Sequence, residues 1–298
     1  MSAEVLATAK LNLSLEVLAK TPDGFHQLRS SMIALALGDL LRAEACEDAG
    51  VSISLSGEFS AGVPTDESNL AVRAVSALLE RSEHSGGVSL ALEKRVPAGA
   101  GLGGGSADAA AALVAARVVL GLGEDAEMDE SILEALGSDT VFFHAASTGH
   151  ALCEGRGERV TERDEVGDWS ILLVTPAVHA STAAVFAAYE LSGETRALES
   201  APDFSKMTAG EARLELSNEL EASALALYPE LSEWRKVLDS AGLSHAHLTG
   251  SGASFFALFE ERGEAQEALR QLLSEASGLP QPSLACVTSP AHGVSKRL

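Results

Sequence analysis

The sequence contains little lysine, little cysteine and few aromatic residues. Its 298 residues include six lysines against fifteen arginines, three cysteines and 4% aromatic residues. The cysteines are odd in number, far apart and without a C-x-x-C pair, so they predict neither a disulfide framework nor a zinc site, and we expect them to be reduced and structural. No window approaches the roughly 18 uninterrupted apolar residues of a membrane span, and the N-terminus lacks the features of a signal peptide. We therefore expect a cytoplasmic protein without a membrane partner.

Positive charge is also scarce. The formal net charge is −22 at pH 7, and a surface that negative repels a nucleic-acid backbone and gains nothing from counterion release. Nucleic-acid binding is therefore not expected. The same charge opposes long-range attraction of a polyphosphate, so any phosphate site has to act at short range, through backbone amides, a divalent cation and a few well-placed cationic side chains.

Glycine, by contrast, is concentrated in one place. The stretch VPAGAGLGGGSADAAAAL, residues 96–113, has five glycines within the seven positions 99–105. Glycine is costly to order, so such a run is expected where the backbone bends sharply or something approaches it closely. Ser106 is predicted to cap a helix formed by the apolar run at 109–120. Unpaired N–H groups at such a helix start suit a phosphate, and the stretch therefore predicts a nucleotide site.

Two well-known nucleotide motifs do not fit these glycines. A Walker loop needs a lysine where this chain has Ser106. A Rossmann fingerprint needs a strand directly before the first glycine and an acidic residue ending a second strand about 20 residues on. Here residues 94–98 intervene, and Glu124 and Asp125 follow a helix. The remaining alternative is a turn that only packs a helix, although five glycines in seven positions exceed what a turn needs.

The rest of the chain mixes strand and helix patterns without regular alternation, which predicts an α+β fold. Period-two alternation predicts a strand over 5–17, with Lys10 and Asn12 on the same face about 7 Å apart. A turn at 22–24 would lead to a returning strand, and Ser181 or Thr182 would cap a helix ending near 191. The predicted strands are 5–17, 25–37, 51–57, 87–94, 171–175 and 255–259, and the predicted helices are 69–81, 109–120, 127–136, 182–191, 218–227 and 229–241.

Six motifs make the chain similar to a known family. They are AKLNLSL (9–15), PDGFH (22–26), PAGAGLGGGSADAA (97–110), LGSDTVFF (136–143), GHALCEGRGE (149–158) and LTGSGASFFALF (248–259). In this order and spacing, over almost the whole chain, they resemble the GHMP small-molecule kinases. The glycine–serine loop is common to that family. The lysine–asparagine strand combined with D-G-[aromatic]-H points to the branch that phosphorylates the 2-hydroxyl of a cytidine-diphosphate-linked methylerythritol in the non-mevalonate isoprenoid pathway.

The resemblance implies a two-domain fold and the cofactors ATP and Mg²⁺. Residues 1–163 would form a domain like domain 2 of ribosomal protein S5, with the ATP loop and the catalytic residues, and 164–298 a ferredoxin-like α/β sandwich on the substrate side. No protein ligand of the metal is assigned, because Mg²⁺ would arrive with ATP and lie near Ser106. Lys94 could equally be an edge-strand charge. The predicted ATP-binding residues are Pro97, Ala98, Gly99, Ala100, Gly101, Leu102, Gly103, Gly104, Gly105, Ser106, Ala107, Asn69 and Lys94.

The resemblance also implies the catalytic residues. Asp139 would face the acceptor hydroxyl as general base, with Lys10 beside it. Phosphoryl transfer asks mainly for alignment and charge neutralisation, so one carboxylate and one cation form a sufficient set, and the carboxylate could orient the hydroxyl rather than remove its proton. Without the resemblance, Asp139 would be interpreted as a helix cap or surface group and Lys10 as a solvated strand charge. Asn12 would either bind substrate or satisfy the turn near Asp139.

For the acceptor, the resemblance places a cytosine against Phe25, with hydrogen bonds from His26. Phenylalanine replaces the family's usual tyrosine, which should keep the stacking and lose one hydroxyl contact. Phe186 is the candidate for the second face of the base, and core packing is its alternative role.

Other features are departures from the family or carry no predicted chemistry. Val141 stands where the family commonly has proline, and Ser138 and Thr140 stand where it has small apolar residues, so the turn around Asp139 could be looser. His245 and His247 form an H-x-H pair that we interpret as structural, and residues 278–298 carry no recognisable chemistry. The alternatives to the proposed kinase are a homoserine- or mevalonate-type GHMP kinase and a non-catalytic nucleotide-binding protein. We expect a monomer or weak homodimer.

Overall fold

The structure, a computed structural model, describes residues 1–20, 26–189, 201–291 and 295–297. Its strands are β1 (Ser2–Lys20), β2 (His26–Cys46), β3 (Gly50–Ser56), β4 (Gly87–Glu93), β5 (His150–Gly155), β6 (Arg159–Glu162), β7 (Ser170–Thr175), β8 (Ser217–Asn218), β9 (His247–Leu248), β10 (Phe255–Phe259), β11 (Leu284–Thr288) and β12 (Ser295–Arg297). Its helices are α1 (Leu70–Arg81), α2 (Gly104–Leu120), α3 (Ala126–Glu134), α4 (Thr140–Ala145), α5 (Thr182–Ala188), α6 (Ala209–Glu215), α7 (Glu221–Leu227), α8 (Pro229–Ser240) and α9 (Arg262–Glu275), with a 3₁₀ turn at Ala276–Gly278.

The strands form two sheets. The first has the order β12-β1-β2-β4-β3, with β5 added to β2, β6 to β5 and β8 to β1. The second, β11-β7-β10-β9, is antiparallel throughout. The chain passes from one sheet to the other between β6 and β7, and the predicted division into domains 1–163 and 164–298 stays a prediction. Strands β8 and β12 then return to pair with β1, so both halves of the chain contribute to the first sheet.

Three hydrophobic cores stack the sheets and helices in four layers. One core lies between the first sheet and helices α1–α4, a second lies between the two sheets, and a third lies between the second sheet and helices α5 and α7–α9. Strand β7 shows the alternation clearly. Ile171 and Leu173 enter the core between the sheets, whereas Leu172 and Val174 enter the core beneath the helices. Such a strand is buried on both faces and appears in the sequence as a continuous apolar run.

Strand β1 changes faces where its register with β2 shifts, between Thr8 and Lys10. The odd-numbered residues 3–7 before the shift pack against the helices, and the odd-numbered residues 9–13 after it lie in the core between the sheets. Leu15 and Val17, near the end of the strand, belong to the third core. An irregularity of this kind re-aims the side chains that follow it. Lys10 and Asn12 consequently project toward the helix side of the first sheet, where α2 begins.

The predicted start of α2 was wrong. The helix begins at Gly104 rather than after Ser106, and its N-cap residue is Gly103, whose φ of 70° is left-handed. Glycine adopts that conformation without steric cost, so the backbone turns into the helix without a side-chain cap. Ser106 therefore lies in the first helical turn, with its backbone N–H among those that lack an intrahelical acceptor.

Other boundaries differ for local reasons. Helix α7 begins at Glu221 instead of 218, because Ser217 and Asn218 pair with β1. Helix α1 has Asn69 as its N-cap, and Ser181, not Thr182, caps α5. The predicted turn at 22–24 lies outside the described residues. Helix α5 ends at Ala188 rather than near 191, and its C-cap, Tyr189, is extended. None of the described helices is long and apolar enough to cross a membrane.

Candidate active site

Most of the site residues predicted from the sequence line one cavity of about 580 Å³. Two predicted residues do not line it. Ala107 is fully buried behind the loop, and His26 lies outside the lining; Phe25 is outside the described residues. The predicted residues in the lining are Lys10, Asn12, Asn69, Lys94, Pro97, Ala98, Gly99, Ala100, Gly101, Leu102, Gly103, Gly104, Gly105, Ser106, Asp139 and Phe186.

The glycine loop owes its shape to three alternate glycines. Gly99, Gly101 and Gly103 have φ values of 67°, 76° and 70°. A Cβ at Gly101 would overlap the carbonyl oxygen of Thr249, and one at Gly103 would lie 2.9 Å from the Lys10 Cγ. These glycines therefore serve backbone conformation and packing, so the alternative of a packing turn is correct for part of the loop.

The second glycine turn holds the first one in place. The backbone N–H and the hydroxyl of Ser254 both donate to the carbonyl oxygen of Ala100, at 3.1 and 2.7 Å, and Thr175 contacts the same hydroxyl at 2.7 Å. Gly105, in contrast, has open space, since a Cβ there would come no closer than 3.8 Å to Leu70. The loop thus presents the unpaired N–H groups of the start of α2 to a cavity, which is the arrangement that binds phosphate.

Replacing Gly101 with alanine should lower both stability and nucleotide affinity. A residue with a side chain is strained at positive φ by roughly 1–3 kcal/mol, and here its Cβ would also collide with backbone. Chemical denaturation and an ATP titration measure the two losses. Gly123→Ala is the matched control, because nothing lies within 4 Å of the added Cβ. Equal stability of the two variants would contradict the packing role of the loop.

Lys10, Asn12 and Asp139 form one polar group beside the loop. The Lys10 Nζ lies 3.5 Å from Asp139 Oδ2 and donates to Asn12 Oδ1 at 2.6 Å. The Asn12 amide nitrogen donates to the Ser30 hydroxyl at 2.8 Å, and its backbone N–H donates to the Thr249 hydroxyl at 3.0 Å. Asn12 therefore fixes the position of the lysine, and the predicted juxtaposition of strand and aspartate is present.

Asp139 faces the cavity rather than capping its helix. It occupies the N-cap position of α4 but makes no side-chain capping hydrogen bond, and its side chain is 37% exposed. The turn around it is not loose, because the buried Thr140 hydroxyl donates to the carbonyl oxygens of Leu133 and Gly137, each at 2.6 Å. Val141 is buried in the core. Hydrogen bonds and core packing thus hold the turn around Asp139.

The glycine loop is joined directly to the pair formed by Lys10 and Asp139. The backbone N–H of Lys10 donates to the carbonyl oxygen of Leu102 at 3.0 Å, and Gly103 packs on the aliphatic part of the lysine. Any movement of the loop therefore moves Lys10 and, through it, its contact with Asp139. The arrangement can align a hydroxyl at the carboxylate with a phosphate at the start of α2.

At the other end of the cavity, Phe186 lies against His26. Their rings stack at 5.4 Å between centroids with an interplanar angle of 24°, so no second ring fits between them. Phe186 lines the cavity and also packs against the core beneath the helices of the second sheet, so the core-packing role considered for it is present. Burial lowers the pKa of His26, and nearby Lys20 lowers it further. The predicted contacts of these residues with a cytosine remain predictions.

Lys94 is not an edge-strand charge. Its ammonium is buried, with a side chain 4% exposed, and pairs with Asp39 Oδ2 and, at 2.7 Å, with Asp108 Oδ2. Burial alone would lower the pKa of Lys94, but Asp108 and Asp39 together outweigh it and raise that pKa. Burial raises the pKa of Asp108 to about 7 against the opposing effect of Lys94. The cluster thus pairs one ammonium with two carboxyl groups, and burial favours the neutral form of Asp108.

The cluster of Lys94, Asp39 and Asp108 connects the two ends of the glycine loop. Asp39 Oδ1 also accepts the backbone N–H groups of Arg95, at 2.5 Å, and Val96, at 2.8 Å. Lys94 precedes the loop and Asp108 follows it on α2. The Lys94 ammonium therefore connects the residues before and after the loop. Its predicted contact with ATP stays a prediction.

Asn69 begins α1 at the opposite edge of the cavity. Its side-chain oxygen accepts the Ala71 N–H at 2.9 Å, and its amide nitrogen donates to the Pro64 carbonyl oxygen at 2.8 Å. Asn69 and Pro64 both line the cavity. The hydrogen-bond capacity of Asn69 is therefore used largely within the protein, and its predicted contact with ATP stays a prediction.

The sequence reasoning missed four residues of the site. Thr249 and Arg156 line or support the cavity and stand inside motifs that the sequence analysis quoted, so a closer reading of those motifs could have found them. Asp108 also stands inside a quoted motif, at 97–110. Asp39 carried no local signal, because its partner Lys94 is 55 residues away.

The H-x-H pair makes ordinary structural contacts. His245 packs edge-on against Phe259 with centroids 6.0 Å apart, and His247 Nδ1 lies 3.6 Å from Glu221 Oε2. Within the described residues, no group of three or more His, Cys, Asp or Glu side chains could hold a metal ion.

Models of one protein family match segments in both halves of the chain. The family model for the GHMP kinases N terminal domain matches residues 69–149, and the model for GHMP kinases C terminal matches residues 197–277. A protein of Citrifermentans bemidjiense named 4-diphosphocytidyl-2-C-methyl-D-erythritol kinase is 36% identical over 269 residues, covering 90% of this chain and 94% of the relative.

Solved structures agree with this assignment. A crystal structure of 4-(cytidine 5'-diphospho)-2C-methyl-D-erythritol kinase superposes with a TM-score of 0.74 and 31% identity, covering 97% of this chain and all of that one. A homoserine kinase from Cytophaga hutchinsonii superposes with a TM-score of 0.72 over 99% and 97% of the two chains, but at 18% identity it shows the shared fold alone. The chain belongs to the GHMP kinases, a family of ATP-dependent small-molecule kinases.

Proposed function

We propose that this kinase transfers the γ-phosphoryl group of ATP to the 2-hydroxyl of 4-diphosphocytidyl-2-C-methyl-D-erythritol, in the non-mevalonate route to isoprenoid precursors. Relatives of similar length carry that name. The observation that carries the proposal is the shared cavity, in which Lys10 and Asp139 lie between the glycine loop and Phe186. We further expect a cytoplasmic monomer or weak homodimer.

In this proposal, each part of the cavity has one role. The N–H groups at the start of α2 hold the phosphates of ATP, and Lys10 neutralises charge near the transferred group. Asp139 accepts a hydrogen bond from the acceptor hydroxyl and aims it at the γ-phosphorus. Because the transition state of phosphoryl transfer is loose, alignment contributes more than early removal of the proton.

The donor set fits a nucleotide-bound Mg²⁺. The Ser106 hydroxyl and the Asp139 carboxylate line the same cavity, and Mg²⁺ commonly takes one or two protein oxygens together with phosphates and water. The ion would neutralise charge on the phosphates of ATP. The absence of a larger metal-ligating cluster within the described residues is compatible with an ion that arrives with its nucleotide.

A panel of alcohols tests the acceptor. With coupled detection of ADP, turnover should occur with the cytidylyl substrate, and kcat/KM for homoserine and mevalonate should be lower by a factor of about 10³ or more, because those alcohols leave the recognition groups of the cavity unpaired. Preference for either small alcohol would favour a sister GHMP kinase. Nucleotide binding without any turnover would favour a non-catalytic protein, for which the paired Lys10 and Asp139 have no evident use.

A further inference from the structure

Arg156 is a cation of the cavity lining to which the proposed mechanism assigns no role. It lies in the turn between β5 and β6, flanked by Gly155 and Gly157, and it is exposed and lines the cavity. Among the described residues of the lining, the lysine and arginine side chains are Lys10, Lys94 and Arg156. The ammonium of Lys94 faces two carboxylates, and that of Lys10 faces Asp139.

On one side, the turn lies against the catalytic carboxylate. A Cβ at Gly157 would lie 3.3 Å from the Ser138 Cβ and 3.6 Å from Asp139 Oδ1. Gly157 is therefore in close contact with the residues that are proposed to position the hydroxyl. A glycine suits this place, because its φ of 118° and the close neighbours both disfavour a side chain.

On the other side, the turn lies beside the aromatic end of the cavity. Gly155 pairs with Leu28 of β2, which also lines the cavity. Two residues before Leu28 is His26, whose ring stacks on Phe186. Arg156 thus stands between the hydroxyl end of the cavity, at Asp139, and its aromatic end, at Phe186.

The acceptor proposed above has its groups in the same order. Its cytidine is joined through a diphosphate to the methylerythritol, so the diphosphate lies between the base and the hydroxyl that is phosphorylated. A diphosphate diester carries two negative charges, and the chain as a whole carries a net charge of −22. A guanidinium presents a fork of N–H donors that matches phosphate oxygens in pairs, which a lysine cannot do.

We propose that Arg156 binds the diphosphate of the acceptor and thereby selects a diphosphate-linked alcohol over a small free one. This inference rests on the proposed function and adds the residue that determines specificity. Homoserine and mevalonate have no diphosphate and would leave the guanidinium without its ligand. Arg156 contributes to acceptor binding and leaves the transfer step to Lys10 and Asp139.

The test is a steady-state comparison of Arg156→Gln with the parent and with Arg159→Gln, a control at an exposed arginine outside the cavity lining. The KM for the cytidylyl acceptor should rise about 10- to 100-fold in Arg156→Gln, the loss expected for hydrogen bonds to a charged group. The kcat and the KM for ATP should stay within about threefold. Arg156→Lys should be intermediate, and Arg159→Gln should match the parent.

Two results would overturn the role of Arg156 while leaving the proposed function intact. An unchanged acceptor KM in Arg156→Gln is one, and a selective change in the KM for ATP or in kcat is the other. Equilibrium binding of cytidine 5'-diphosphate and of cytidine gives a readout without turnover. The parent should bind the diphosphate more tightly than the nucleoside, and Arg156→Gln should lose that difference. If the parent fails to phosphorylate the cytidylyl acceptor, the proposed function falls, and this binding difference still decides the role of Arg156.

Discussion

Replacing Asp139 with asparagine should lower kcat by about 10²- to 10⁴-fold, the range found when a positioned acid–base group is removed. Asparagine keeps the shape of the side chain but can neither take the proton nor offset the charge of Lys10, which lies 3.5 Å away. The side chain is 37% exposed and makes no capping hydrogen bond, so the fold should tolerate the change. Nucleotide affinity should stay near that of the parent, because the start of α2 is unaltered. Steady-state kinetics and calorimetric ATP titration measure both quantities.

The double variant makes this test specific. Lys10→Met should also lose kcat, because it removes the cation near the transferred phosphoryl group. Residues that act as one unit lose activity in a strongly non-additive way, so Lys10→Met combined with Asp139→Asn should be little worse than the poorer single variant. Asp164→Asn is the control, since its exposed carboxylate pairs only with exposed Lys206 among the described ion pairs. Unchanged turnover in Asp139→Asn would remove the mechanism.

The sequence predicted which segments would meet but not how they are held. The motifs predicted that the glycine loop, the strand with Lys10 and the turn with Asp139 would lie close together. In the structure all three line one cavity. The start of α2 was predicted wrongly, because a serine near the beginning of a helix is the ordinary capping signal. The backbone conformation determines where the helix starts, because Gly103 is left-handed and the helix begins directly after it.

Long-range partners explain most of what was not predicted. The regular alternation over residues 5–17 suggested one strand with one buried face, yet the register shift after Thr8 moves the odd-numbered residues 9–13 into a different core from residues 5 and 7, and Leu15 and Val17 enter a third. Nothing within the strand shows this, because the shift depends on the partner strand. The two-residue strand at Ser217 and Asn218 is likewise defined only by its pairing with β1. Hydrophobic periodicity reports on one segment alone, whereas a register shift or a short paired strand depends on two segments.

The buried cluster beneath the loop gives the largest expected effect on stability. Replacing Lys94 with methionine leaves the carboxylates of Asp39 and Asp108 buried without their cation, and removing one partner of a buried ion pair typically costs about 3–5 kcal/mol. The side chains of all three residues are 5% exposed or less, so solvent cannot compensate. The free energy of unfolding, measured with urea, should fall by that amount. Lys236→Met, which breaks an exposed pair with Glu233, should change it by no more than about 0.5 kcal/mol.

The pH dependence of the stability lost in Lys94→Met shows whether the loss of charge pairing is its cause. Burial raises the pKa of Asp108 to about 7 even with Lys94 present, and loss of the cation raises it further. A carboxyl group whose pKa is higher in the folded than in the unfolded state favours folding at low pH, and this contribution is lost as the pH rises through the folded-state value. The deficit of Lys94→Met should therefore be smaller at pH 5 than at pH 8. Adding Asp108→Asn, which removes one of the two carboxylates, should recover part of it at pH 8. A deficit that is equal at both pH values, or that Asp108→Asn deepens, would show that Lys94 acts by filling space rather than by pairing charges.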